Sequence, residues 1–209
     1  MDNVTIYSLR NSFAASAIAI VLSACGGGSE TPTPATPPPV SQITKTGVFV
    51  DSLVAGISYR TATITGVTNA AGEYDYVEGE TVTFSIGGIT LGTTVAAPVS
   101  TPIDLVSGAA DASNPVVINI VRLLITLDDD GDPSNGITIA PATLTAAATS
   151  SVSFTSPTFD ADAQAIVTSL MPGTTLESAT VAQNHFNETL KTTWGSMTWG
   201  SDCWKVLCT

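Results

Sequence analysis

The chain has 209 residues, enough for one or two domains, and 44% of them are hydrophobic, so it is able to bury a core. Only 11% are charged, yet 18 acidic side chains against 6 basic ones give a net charge of −12. The negative electrostatic field of such a chain repels nucleic acid and anionic lipid headgroups and attracts cations, so we expect no nucleic-acid partner.

The first 24 residues are typical of an export signal. The apolar stretch FAASAIAIVL at 13–22 is too short to span a membrane and has the length of a secretory signal core. Residues 22–25, LSAC, resemble the bacterial lipoprotein signal, in which the cysteine is acylated and the chain is cut before it. The resemblance implies a signal peptide at 1–24 and palmitate-type lipid on Cys25, and Gly26 implies sorting to the Gram-negative outer membrane. An ordinary signal peptide with an incidental cysteine is the alternative.

Residues 25–45 are predicted to form a tether behind that anchor. Its segment GGGSETPTPATPPP at 26–39 begins with flexible glycines and ends with prolines, which favour an extended polyproline conformation. We therefore expect the membrane as a partner through the lipid, with the folded part held on the periplasmic or the surface-exposed face.

The pattern from 46 to 100 predicts a small antiparallel β-sandwich. The segment TVTFSI at 81–86 alternates polar and apolar residues, and shorter stretches around Tyr59 and Tyr74 do the same. Turn signals separate these stretches, and several short strands at such spacing are typical of a sandwich.

Residues 101–209 are predicted to be a helical half, which makes the fold class α+β. Asn114 is a suitable helix cap with Pro115 at the first helical position. The following segment, 116–127, is apolar on almost every face, so this helix is expected to be buried. Further helices are predicted at 141–149, 160–170 and 176–192.

An acidic loop, LDDDGDPSNG at 127–136, follows the buried helix. Its alternating carboxylates match the way calcium loops place oxygen ligands around one point. Carboxylates at a helix C-terminus also face the negative end of the helix dipole, and a cation relieves that conflict. We therefore predict one structural Ca²⁺ held by four side chains: Asp128, Asp130, Asp132 and Asn135.

The loop differs from an EF-hand. Gly131 stands at the fourth position instead of the sixth, and Ile139 replaces the glutamate of the twelfth. The loop is closer to the D-x-D-G-D runs of extracellular calcium modules such as thrombospondin repeats. The missing ligands are then backbone carbonyls, water or distant side chains, with Asp104 and Asp111 as candidates. The alternative is a solvated acidic turn that binds no metal.

Three stretches together resemble a module that recurs near the N-terminus of many Gram-negative surface lipoproteins, some of them adhesin-like. They are GVFVDSLVAGISY at 47–59, GVTNAAGEYDYVEGETVTFSIGGITLG at 66–92 and NIVRLLITLDDDGDPSNGITI at 119–139. The first half is similar to the prealbumin-like sandwiches that serve as regulatory domains of carboxypeptidases. Five residues match the turn positions of that pattern: Val54, Gly56, Asn69, Gly72 and Tyr74.

Two cysteines near the C-terminus form an even pair once Cys25 carries lipid. We predict a disulfide between Cys203 and Cys208, because an exported chain meets an oxidising compartment. Metal binding is the alternative, although one such pair lacks the second half of a zinc site.

Three tryptophans recur every five residues in the same region: Trp194, Trp199 and Trp204. If they are exposed, their rings are suited to stack on sugars or to pack against a protein partner. The alternative is that they cover the open end of the core.

Catalytic signals are sparse. His185 is the single histidine, with Glu188 close enough in sequence to orient it as a base. The chain has no G-x-S-x-G, no H-E-x-x-H and no phosphate loop. We therefore expect a non-enzyme: an outer-membrane lipoprotein acting as a calcium-stabilised, adhesin-like binding or scaffolding module for a protein or polysaccharide at the envelope. The rivals are a secreted hydrolase that uses His185 and a carbohydrate-binding accessory protein.

Overall fold

A computed structural model describes residues 43–195. Within that range the strands are β1 (Thr44–Phe49), β2 (Val54–Ala55), β3 (Ser58–Arg60), β4 (Thr65–Val67), β5 (Glu73–Val77), β6 (Thr81–Ile86), β7 (Ile89–Val95), β8 (Val99–Ser100) and β9 (Ile137–Thr138). The helices are α1 (Pro115–Thr126), α2 (Pro141–Ala146), α3 (Phe159–Leu170) and α4 (Ala179–Gly195). The predicted α+β class is therefore confirmed for the described part of the chain.

The strands form two main sheets. One has the order β5-β1-β8, with β1 antiparallel to β5 and parallel to β8. The other is antiparallel throughout, with the order β4-β3-β6-β7. Two short parallel pairings, β1 with β8 and β2 with β9, depart from the purely antiparallel pattern that the sequence predicts. They arise where later segments return beside the first strands.

Aromatic side chains join the two sheets. The ring centroids of Phe49 in β1 and Phe84 in β6 are 4.6 Å apart. Tyr74 in β5 meets Phe84 edge to face at 5.1 Å. Because these residues come from different sheets and are almost fully buried, the two sheets share one core. This arrangement is compatible with the predicted β-sandwich.

The turn between β4 and β5 shows why the predicted turn signal works. The Asn69 side-chain oxygen accepts hydrogen bonds from the backbone N–H groups of Ala71 and Glu73, at 2.9 and 3.0 Å. Gly72 then adopts a φ of +70°, which side chains with a Cβ rarely do. The chain therefore reverses here and enters β5.

α1 begins and is buried as the sequence predicts. The Asn114 side chain accepts from the backbone N–H of Val116 at 2.9 Å, and Pro115 occupies the first turn. Most of the helix is buried, and it packs against α3 and α4. Its one charged residue, Arg122, reaches Asp160 of α3 at 2.6 Å.

Predictions for 1–42 and 196–209 lie outside the described residues. They concern the signal, the tether up to residue 42, the lipid on Cys25, the disulfide of Cys203 and Cys208, and the roles of Trp199 and Trp204. The last residues assigned to the tether, Thr44 and Lys45, belong to β1. The backbone of Trp194 is helical in the last turn of α4. No helix within residues 43–195 has both the length and the apolar character to cross a membrane.

Candidate site between the acidic loop and the last helix

The acidic loop leaves the C-terminus of α1 and closes on itself. The backbone N–H of Asp129 donates to the carbonyl of Thr138 at 2.9 Å. Gly131 adopts a φ of +70° and lets the backbone turn, as predicted. A 3₁₀ turn, Pro133–Asn135, then leads into β9, which pairs with β2.

The exposed aspartates of the loop cap their own backbone. Asp130 accepts from the N–H of Asp132 and from the amide nitrogen of Asn135, both at 2.9 Å. Asp132 accepts from the N–H and the hydroxyl of Ser134, at 3.2 and 2.6 Å. The hydrogen bond from Asn135, followed by that from Asp132, lowers the pKa of Asp130, so its carboxylate stays ionised.

Asp128 differs from its neighbours because it is buried, with 2% of its surface exposed. Its Oδ1 accepts from the backbone N–H of Thr138 at 2.8 Å, whereas its Oδ2 is buried without a hydrogen-bond partner. Burial raises the pKa of Asp128, and the nearby carboxylate of Asp130 raises it further. An unpaired polar group in the interior costs about 1–3 kcal/mol, more when it is charged, so this oxygen favours a proton or a cation.

The donor chemistry of the loop fits Ca²⁺, but the side chains are not gathered for it. As they are placed, no three His, Cys, Asp or Glu side chains within residues 43–195 are arranged to hold a metal ion. Carboxylate and amide oxygens are what Ca²⁺ binds. Coordination would require Asp130 and Asp132 to turn from their backbone partners, and would require Asn135 to present its oxygen in place of its nitrogen.

The two distant candidates for the missing ligands are occupied elsewhere. Asp104 accepts from the N–H and the hydroxyl of Thr101, at 2.7 and 2.8 Å. Asp111 accepts from the N–H and the hydroxyl of Ser113, at 2.7 and 2.6 Å. Both aspartates line a surface depression beside Leu190, to which no residue of the acidic loop contributes.

A second acidic group, Asp51, lies in the turn after β1 and was not among the predicted site residues. Its side chain is completely buried, and neither oxygen has a hydrogen-bond partner. Nε2 of His185, on α4, is 3.3 Å from Asp51 Oδ1. That separation is within ion-pair range, although the geometry is not that of a hydrogen bond.

The two groups shift each other's proton affinity. Burial raises the pKa of Asp51, and contact with His185 lowers it by less. Burial alone would lower the pKa of His185, but the contact and the charge of Asp51 outweigh it, so the pKa is raised above its ordinary value. The charge of Asp128 acts in the same direction on His185.

The turn that carries Asp51 also touches both neighbouring segments. Ser52 donates its backbone N–H to the hydroxyl of Thr189 on α4 at 3.2 Å. Its own hydroxyl donates to the carbonyl of Pro133 in the acidic loop at 2.9 Å. Ser52 has a φ of +55°, a conformation that non-glycine residues rarely adopt. This turn therefore links α4 to the acidic loop.

The acidic partner of His185 is Asp51 and not Glu188. Glu188 pairs with Lys191 on the exposed side of α4, at 2.6 Å. The sequence offered no spacing signal for Asp51 and His185, because they lie at opposite ends of the described fold. The only hint was an aspartate placed directly after the apolar segment GVFV.

Comparisons of the chain with protein-family models, with curated proteins and with solved structures give no match.

Proposed function

We propose that the protein is a lipid-anchored module of the Gram-negative outer membrane that acts without catalysis. In this proposal a prealbumin-like sandwich and its helices form a calcium-stabilised, adhesin-like binding or scaffolding domain for a protein or polysaccharide at the envelope. The LSAC segment at 22–25 and the Gly/Pro-rich segment at 26–39 support the anchor and the tether.

The observation that carries the calcium part of the proposal is the unpaired oxygen of Asp128. It is buried at the point where α1 ends, so it faces the negative end of the helix dipole as well as the charge of Asp130. A Ca²⁺ ion would pair the buried oxygen and would offset both the helix dipole and the repulsion from Asp130. Binding such an ion would require the exposed carboxylates of Asp130 and Asp132 to turn toward it and to give up a few surface hydrogen bonds.

A non-catalytic role is supported by the position of the single histidine. The His185 side chain is only 12% exposed, and its Nε2 faces the buried Asp51. A general base must approach the proton that it removes from the substrate, and this nitrogen is directed into the interior. Nε2 therefore helps to hold α4 and is not available to a substrate.

Thermal unfolding of the mature chain with Ca²⁺ and with chelator tests the proposal. For a dissociation constant of about 1 mM, typical of extracellular modules, 10 mM Ca²⁺ stabilises the fold by about 1.4 kcal/mol. For a domain of this size we expect the melting temperature to rise by about 3–6 °C. The variant Asp128→Asn should lose the rise, whereas Asp129→Asn, which removes the same charge from an exposed position of the loop, should keep it. Equal melting temperatures for the wild type would reject the calcium part.

The anchor is tested separately by fractionating cells that express the full-length chain. We expect the wild type in the outer membrane with an acylated Cys25, detected by mass spectrometry. The variant Cys25→Ser should be absent from the membrane pellet. A wild-type protein recovered without lipid would contradict the anchor.

A further inference from the structure

Four buried side-chain polar atoms within residues 43–195 lack a hydrogen-bond partner, and they belong to only three residues. Two are the oxygens of Asp51, one is Oδ2 of Asp128 and one is Nε2 of His185. Since native interiors pair nearly all such groups, their concentration here calls for a specific explanation.

We propose that Asp51 and His185 form a proton-dependent clasp that holds α4 against the turn after β1 and loosens when the pair loses its proton as the pH rises. With one proton on the pair, a carboxylate and an imidazolium neutralise each other at 3.3 Å. Without it, a bare carboxylate remains in the interior beside a neutral imidazole. Burial disfavours that state strongly, because the Asp51 oxygens have no other donor.

The position of the pair makes it a clasp and not merely a buried contact. Asp51 lies in the turn between β1 and β2, whereas His185 lies on α4. The same turn holds α4 through the hydrogen bond from Ser52 to the hydroxyl of Thr189, one helical turn after His185. The ion pair and this hydrogen bond therefore hold the helix to the turn at two adjacent points.

The other charged groups around His185 do not replace its proton. From the acidic loop, Asp128 adds negative charge and favours the protonated form. On α4 itself, Glu188 and Lys191 pair with each other at the surface. The charged residue of α1, Arg122, pairs with Asp160, and Asp104 and Asp111, near Leu190, accept from Thr101 and Ser113. Within residues 43–195 the cationic group paired with Asp51 is thus His185.

Two shifts support this geometry. The pKa of His185 is raised by Asp51 in spite of burial, and the pKa of Asp51 is raised by burial. Both groups therefore hold a proton to a higher pH in the folded state than in the unfolded chain. The inference does not depend on calcium binding, because it concerns a different pair of side chains and is testable in chelator.

An NMR titration measures the pKa of His185 without ambiguity, because His185 is the single histidine of the chain. In excess chelator, we expect the imidazole of the wild type to titrate above 6.5, its ordinary value. In Asp51→Asn the midpoint should fall below that of the wild type, because the contact and the charge of Asp51, which oppose the effect of burial, are then removed. In Glu188→Gln, an equal charge change on the exposed side of α4, it should stay near the wild-type value. A wild-type midpoint at or below 6.5, or one that Asp51→Asn leaves unchanged, would overturn the proposal.

Hydrogen exchange tests whether the proton on the Asp51–His185 pair controls how firmly α4 is held. After correction for the intrinsic pH dependence of exchange, the amides of α4 should lose at least tenfold protection as the pH rises through the titration midpoint of His185. The double variant Asp51→Asn with His185→Gln carries no proton to lose and keeps two amides in place of the pair, so its protection should not change with pH. Protection of wild-type α4 that is independent of pH, or a double variant that responds like the wild type, would refute the clasp.

Discussion

Ser52 donates its hydroxyl to the carbonyl of Pro133 at 2.9 Å and so ties the turn after β1 to the acidic loop. The same residue donates its backbone N–H to Thr189 of α4. One turn with an unusual backbone therefore connects two segments whose separation in sequence gave no reason to expect contact. The stability of this connection is open to direct measurement.

Substitutions at Ser52 separate its hydrogen bond from its backbone strain. We expect Ser52→Ala to lower the free energy of unfolding by about 0.5–1.5 kcal/mol through loss of the bond to Pro133. Ser52→Gly should be less destabilising than Ser52→Ala, because glycine accepts the φ of +55° without steric cost. Urea unfolding of both variants gives the comparison. A glycine variant less stable than the alanine variant would show that strain is unimportant here.

In the ion pair of Arg122 and Asp160, loss of the arginine should destabilise the fold much more than loss of the aspartate charge. The Arg122 side chain is 10% exposed, donates to the carbonyl of Glu177 and lies over the ring of Phe159, whereas Asp160 is 79% exposed. We expect Arg122→Ala to cost about 1–3 kcal/mol, because it empties a largely buried position and leaves the Glu177 carbonyl unpaired. Asp160→Asn should cost less than about 1 kcal/mol, as exposed ion pairs do. Similar losses in the two variants would contradict the assignment of burial.

Phe84 should be central to the contact between the two sheets. Its ring packs against Phe49 and Tyr74, and its side chain is fully buried. We predict that Phe84→Ala lowers the free energy of unfolding by about 3–5 kcal/mol. The control is Val95→Ala in β7, where the side chain is 63% exposed and the change should stay within about 0.5 kcal/mol. Chemical denaturation at neutral pH measures both.

The Asp51–His185 pair predicts an unusual dependence of stability on pH. Because the pKa of His185 is raised in the folded state, its contribution is fully present below pH 6.5 and is lost as the pH rises through the folded pKa. The raised pKa of Asp51 acts in the same direction, and its contribution is lost as the pH rises from 3.8 through the folded pKa of that carboxyl. Unfolding free energies measured in chelator should therefore fall on the alkaline side of pH 6.5. A flat profile in the wild type would contradict this linkage.

Local signals predicted much of the fold. Asn114 and Pro115 marked the start of α1 because a cap and a proline act on their own turn, and alternation in TVTFSI revealed β6 in the same way. The parallel pairings could not be predicted, because β8 and β9 have only two residues each and their partners are set by the path of the chain. Sequence spacing can predict a loop but does not identify the partners that tertiary packing brings to it.

In the candidate site, too, the residues with a local sequence signal were predicted and those brought together by tertiary packing were not. Asp128, Asp130, Asp132 and Asn135 were found from a local pattern, and the structure places them on one loop. Asp51 was missed because its partner is on the last helix, and Ser52 is separated from its partner on that helix by 137 positions. Asp104 and Asp111 were proposed as extra ligands from composition alone, and they serve as caps of nearby turns. Asp51 stands out only in the three-dimensional structure, because both of its buried oxygens lack a hydrogen-bond partner.

Isothermal titration calorimetry of the mature chain with Ca²⁺ measures the proposed metal site itself. We predict one site with a dissociation constant of about 10⁻⁴–10⁻³ M, lost in Asp128→Asn and retained in Asp129→Asn. Wild-type protein that takes up no calcium at millimolar concentration, or an Asp128→Asn variant that binds as the wild type does, would contradict it.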